Sequence, residues 1–170
     1  MDGLPGFGKP VIEDLLDEIR HLDERIKTYD AHVRSMARDC TAAQQLMQII
    51  GIGELTATAI VAMVGNAREF SSSRQFAAWL GLVPGQYSSG GKTRLGRITK
   101  AGDAYLRGLL VMGARAVLNA AGAKDDAVSR WAKNIALRRG YWKAVVAVAA
   151  KNARLAWAAL TKGESFTMPA

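Results

Sequence analysis

One cysteine, two histidines and four prolines are spread over 170 residues, and aromatic residues make up only 7%. The lone Cys40 excludes an internal disulfide and a cysteine-rich zinc site. It fits a reducing compartment, and the bacterial cytoplasm is the expectation. His21 and His32 lie far along the chain from any serine-bearing turn, and no GxSxG elbow occurs, which argues against a Ser-His-Asp hydrolase. No run reaches the roughly 18 uninterrupted apolar residues of a membrane span. The opening residues MDGLPGFGKP contain no signal-peptide apolar region. Internal repeats and low-complexity segments are absent from the sequence.

What is present is hydrophobic and basic. Hydrophobic residues are 49% of the chain, alanine is abundant, and the net charge is +8 with a pI near 9.9. The charge is uneven: Met1 to Asp39 carries six cations and nine acids, the remainder 17 cations and six acids. A basic body with an acidic arm points to nucleic acid as partner of the body. Abundant alanine favours closely packed helices. The expected fold is all-α: a long N-terminal coiled-coil helix, then a compact helical domain with a helix-hairpin-helix-like motif and a Gly/Ser-rich basic loop. The expected divisions are a disordered tail at 1–9, the coiled-coil helix at 10–40, the helical domain at 41–162 and a loose tail at 163–170.

Ile12, Leu15, Ile19, Leu22, Ile26, Tyr29, Val33, Met36 and Cys40 recur at alternating spacings of three and four. That is a heptad seam with charged residues between, and it predicts one helix over Val11 to about Asp39. The seam is narrow, so a partner helix, from a second copy or from the same chain, is expected along Ile12–Met36. The alternative is a helix lying on its own domain. His21 and His32 fall off the seam, on the exposed side.

Further helices are predicted at Thr41–Ile50, with Thr41 as N-cap, and at Glu54–Val64, Ser73–Leu80, Ala104–Ala121, Val128–Arg139 and Tyr141–Leu160. Ser71 to Ser73, Asp103 and Asp125-Asp126 supply caps and turns, and Gly65, Gly122 and Gly140 supply stops. The last helix shows an apolar stripe of Trp142, Val146, Ala149, Ala153, Trp157 and Leu160, with Lys143, Lys151 and Arg154 opposite. Ile50-Gly51-Ile52-Gly53-Glu54-Leu55-Thr56-Ala57 resembles a helix-hairpin-helix. In that reading Gly51 and Gly53 permit the turn, and the helix start through Thr56 offers N–H groups to a DNA phosphate without reading sequence. A plain helical hairpin is the other reading.

Gly81 to Arg107, GLVPGQYSSGGKTRLGRITKAGDAYLR, is the least helix-like stretch. Ser88 and Ser89 precede Gly90-Gly91, and Lys92, Arg94, Arg97, Lys100 and Arg107 follow, against one acid, Asp103. A hydroxyl on a turn beside spaced cations suits a phosphodiester, whose transition-state charge such cations stabilise. A solvated basic loop is the alternative. A brief strand at Thr93–Ile98 is one further reading.

The ordered motifs Gly51-Ile52-Gly53 with Thr56-Ala57, Phe76-Ala77-Ala78-Trp79-Leu80-Gly81-Leu82-Val83-Pro84, Ser88-Ser89-Gly90-Gly91-Lys92, Leu95-Gly96-Arg97-Ile98-Thr99-Lys100 and Tyr105-Leu106-Arg107 resemble one family. It is the C-terminal transposase domain of the insertion sequence 110/116/902 family, related to the Piv/MooV invertases, and the resemblance runs from about Leu46 to Leu160. It implies DNA as partner, a guide RNA as a second partner, and a catalytic serine that would attack a DNA phosphodiester and hold the strand as a phosphoserine. That serine corresponds to Ser89, with Ser88 as the alternative. Family members also carry an N-terminal RuvC-like domain whose DEDD tetrad holds divalent metal. Met1 to Asp39 does not match it and looks like the family's coiled-coil connector. The expectation is therefore a C-terminal part with no cofactor or metal ligand of its own, magnesium belonging to the other domain, and no cutting by this chain alone. The competing functions are a non-catalytic helix-hairpin-helix DNA-binding module and an interaction protein acting through its coiled coil.

Overall fold

The structure is a computed structural model and describes residues 8–88, 92 and 94–163. The tails expected at 1–9 and 163–170 fall largely outside these residues. Seven α-helices and one two-stranded sheet are described, so the all-α expectation holds.

Helix α1 runs Gly8–Asp39. At 32 residues it spans about 48 Å. Its heptad seam remains largely uncovered: Leu15, Ile19, Leu22, Ile26, Tyr29 and Met36 are all exposed, and Ala37 is its one buried residue. Exposed pairs Arg20–Asp17 and Lys27–Glu24 cross its polar side. α1 packs on α2 (Thr41–Met47) and α3 (Glu54–Val64). Thr41 is not the cap of α2: Cys40 holds that position, without a side-chain bond. α2 also stops at Met47, three residues before the predicted end, because 48–51 form the turn.

A 3-10 turn at Ala67–Glu69 leads to α4 (Ser73–Trp79), whose cap Ser72 accepts from Gln75 N–H. Phe76 is buried beneath Phe70 and Trp79. Strands β1 (Pro84–Gln86) and β2 (Leu95–Ile98) pair antiparallel, Pro84 with Ile98 and Gln86 with Leu95, with an irregularity between. Asp103 caps α5 (Ala104–Ala120) by accepting from Leu106 N–H. Asp126 caps α6 (Ala127–Arg139), and its carboxyl is held below the usual range chiefly by the Ser129 hydroxyl, then by the Ser129 amide.

Helix α7 (Tyr141–Lys162) is the centre, packed by α5, α6, α4 and α2. Its buried residues are Ala144, Val145, Val148, Ala149, Asn152, Ala153, Ala156 and Ala159. The predicted stripe is thus corrected: Ala149 and Ala153 are inside, but Trp142 is 63% exposed and Val146 only half-buried. The buried residues still share one side of α7, about half its circumference, but that side is turned from the predicted stripe, which it meets only at Ala149 and Ala153. Two polar contacts key it in place. Asn152 Nδ2 donates to Ile50 carbonyl at 2.9 Å, and Trp157 Nε1 donates to Ala67 carbonyl at 3.0 Å. Among the described residues no buried side-chain nitrogen or oxygen lacks a partner.

Candidate functional site

The hairpin is anchored by main-chain bonds at its base and leaves the helical body from there. Thr99 N–H donates to Val83 carbonyl and Lys100 N–H to Gly81 carbonyl. Gly102 lies so close to the end of α4 that a Cβ there would stand 1.6 Å from Trp79 carbonyl oxygen. Arg107 completes this joint. Its Nη1 donates to the carbonyls of Leu80, Gly102 and Asp103 at 3.2, 3.0 and 3.3 Å. Arg107 is therefore half-buried and engaged in tying α4, the loop and α5 together.

Beyond the joint, Tyr87, Ser88, Lys92 and Arg94 line a cleft of about 410 Å³. Ser88 Oγ accepts from Gln86 Nε2 at 2.8 Å, and Tyr87 N–H donates to Arg94 carbonyl at 2.8 Å, closing the ladder above Gln86. The Tyr87 ring lies across Gly85 and Gly96, where a side chain would meet it. Ser89, Gly90, Gly91 and Thr93 lie outside the described residues. Lys92, Arg94, Arg97 and Lys100 are exposed, and none belongs to the four ion pairs found among the described residues. Lys100 has φ +55°, the one positive value outside glycine among the described residues. A side chain rarely occupies that region without surroundings that impose it.

Among the described residues no histidine or carboxylate lines the cleft, and His21 and His32 are exposed on α1. Its chemistry is a hydroxyl among cations, which favours an anionic partner with several oxygens.

The helix-hairpin-helix candidates separate. Gly51, at φ +93°, is pressed against α5 and α7: a Cβ would meet Val117 at 2.7 Å and Asn152 at 3.1 Å. Thr56 is buried within α3. Only Gly53 is open, with nothing within 4 Å of a Cβ, and the adjacent first turn of α3 carries the exposed carboxylate Glu54. That acid repels a phosphate from the same helix start. No group of three or more His, Cys, Asp or Glu among the described residues is arranged to hold a metal ion. No described helix is long and apolar enough to cross a membrane.

Sequence reasoning did not single out Gln86 or Tyr87, which shape the cleft. Their signal is the alternation Gln86-Tyr87-Ser88 leading out of a Pro-Gly strand start.

A helical body presenting a cationic, hydroxyl-bearing hairpin is the class that these features define. The chain belongs to the transposase IS116/IS110/IS902 family, whose pattern matches residues 43–130. It is 45% identical over 159 residues to a probable family 20 transposase of Pseudomonas aeruginosa, covering 94% of this chain and 47% of that protein. It is 42% identical over 164 residues to the transposase for insertion sequence element IS1111A of Coxiella burnetii, covering 96% and 45%. The transposase for insertion sequence element IS1328 of Yersinia enterocolitica is 34% identical, covering 96% and 49%. The chain thus spans about half the length of the curated relatives it matches.

Proposed function

We propose that this chain is the DNA-binding and strand-exchange part of an insertion-sequence transposase, with Ser89, or its neighbour Ser88, as nucleophile. The observation that carries the reading is the cleft in which Ser88 shares its walls with Lys92 and Arg94. The serine Oγ–phosphorus bond forms as a phosphorus–oxygen bond of the DNA backbone breaks. The hydroxyl proton reaches the departing sugar oxygen through solvent. Lys92 and Arg94 offset the charge that grows on the phosphate oxygens. The covalent link conserves the bond for rejoining to another strand. Arg97 and Lys100 extend the positive surface along the flanking backbone, and RNA is a second ligand of the same surface. In this reading the divalent metal of the reaction is held by a separate metal-binding domain.

The test is capture of a labelled DNA strand in a denaturing gel, with a metal-binding partner domain supplied in trans. Ser88→Ala with Ser89→Ala should reduce capture on the order of a thousandfold or more. Undiminished strand exchange by the double variant would remove the serine from the mechanism and leave a DNA-binding module.

The exposed seam of α1 supports pairing with a second copy. Leu22→Asp with Ile26→Asp should lower the sedimenting mass. An unchanged mass would take α1 out of the assembly.

A further inference from the structure

We propose that the groove between the β-hairpin and the start of α7 is a stacking site for an unpaired base of a DNA strand. The groove encloses about 700 Å³, within the range of pockets that hold compact ligands. Ile98, Trp142 and Val146 form its apolar floor, and Arg97, Lys100 and Lys143 stand on its rim. Among the described residues no acid lines it, and none of the three rim cations is in an ion pair.

Trp142 is large, apolar and 63% exposed, yet its ring is held. The Arg115 guanidinium lies 5.7 Å from the ring centroid. Tyr141 meets it edge-on at 5.3 Å, and Tyr141 Oη donates to Asn119 Oδ1 at 3.0 Å. An aromatic face fixed among cations is how proteins take up single strands: bases stack on the ring, and phosphates run along the charges. The strained backbone at Lys100, clamped to Gly81, fixes the rim.

An apolar floor alone would suit many partners, but a rim of cations without acids selects one that is both planar and anionic. DNA is the occupant of choice because the second arm of the hairpin, from Arg94 into β2, borders both sites. Arg94 faces the serine cleft and Arg97 the groove, about 10 Å apart along an extended strand. A strand held at the cleft reaches the groove within its next nucleotides, and strand exchange requires bases there to leave their duplex. The proposal rests on DNA being the partner, and it does not depend on which serine acts.

The experiment measures binding of the full chain to a labelled single-stranded DNA, its duplex and an RNA of the same sequence, for the wild type, Trp142→Ala and Trp142→Phe. Trp142→Ala should weaken single-strand binding about 5- to 100-fold, while Trp142→Phe retains most of the affinity. Duplex binding and the slope of affinity against salt should stay unchanged, because no cation is removed. Equal single-strand affinity in wild type and Trp142→Ala, or equal losses for single strand and duplex, would overturn the proposal. Tighter Trp142-dependent binding of RNA would overturn the assignment to DNA. Undiminished strand capture by the Ser88→Ala, Ser89→Ala variant, with Trp142-dependent binding intact, would instead sink the nucleophile and leave the groove standing.

Discussion

In the turn at 50–53, Gly51 has φ +93° and its carbonyl points at α5, where a Cβ on Gly113 would stand 1.9 Å from the oxygen. In the hairpin, a Cβ on Gly85 would find only ordinary contacts near 3.6 Å, and one on Gly96 would touch the exposed Tyr87 ring at 3.2 Å. Both turns are rich in glycine, and both suit a backbone phosphate when read as sequence. The first is a joint, in which missing side chains let two helices and a turn meet. The second is a projection, in which glycine leaves the strands bare beneath a tyrosine. Glycine therefore marks close approach of backbone, but the sequence does not say whether the approaching group is the protein's own helix or a ligand.

The sharpest way to break this comparison is to add one methyl group at each contact, on Gly113 facing the first turn and on Gly96 in the hairpin. Gly113→Ala should destabilise the protein by about 3 kcal/mol, because backbone must move on both sides of the contact. Gly96→Ala should cost less than about 1 kcal/mol, since only the Tyr87 ring has to shift. Equal losses in thermal or denaturant unfolding would erase the distinction between joint and projection.

A second experiment asks whether the projection carries the charge that binds. Removing Arg94, Arg97 and Lys100 together as alanines should reduce the slope of log affinity against log salt by about 3 in magnitude, while unfolding is little changed. If the slope holds, the DNA surface lies elsewhere, and the start of α3 at Gly53 becomes the next place to look.

The smallest effect concerns a joint remote from both turns. Asp126→Asn keeps a cap acceptor at α6 but removes its charge, and should lower stability at neutral pH by about 0.5 to 1 kcal/mol. The Asp126 carboxyl is depressed in the folded state by Ser129, so its contribution is complete above the ordinary carboxylate range. It fades as pH falls through the depressed native value. The two proteins should therefore converge in strong acid, and a gap that persists there would show that the cap acts without its charge.

The fold was largely legible in the sequence. Helix starts were marked by Ser72, Asp103 and Asp126, helix stops by Gly65 and Gly140, and the long periodic run by α1. These are local signals, and backbone hydrogen bonding makes them so. The site was legible in part. Ser88, Lys92 and Arg94 do line one cleft, whereas Arg107 turns inward to three carbonyls and Thr56 is buried. The same basic residue type serves both purposes, and only its neighbours decide which.

By itself the sequence determined where the helices lie and that the basic charge gathers in the body, since capping, periodicity and composition act within a few residues. Tertiary structure alone decided that Gly51 meets Gly113, that α7 buries a side turned from the predicted stripe, and that Trp142 stands outside beside Arg115 and Lys143. Those outcomes depend on groups tens of residues apart arriving at one place. Packing geometry fixes them, and no local pattern encodes it.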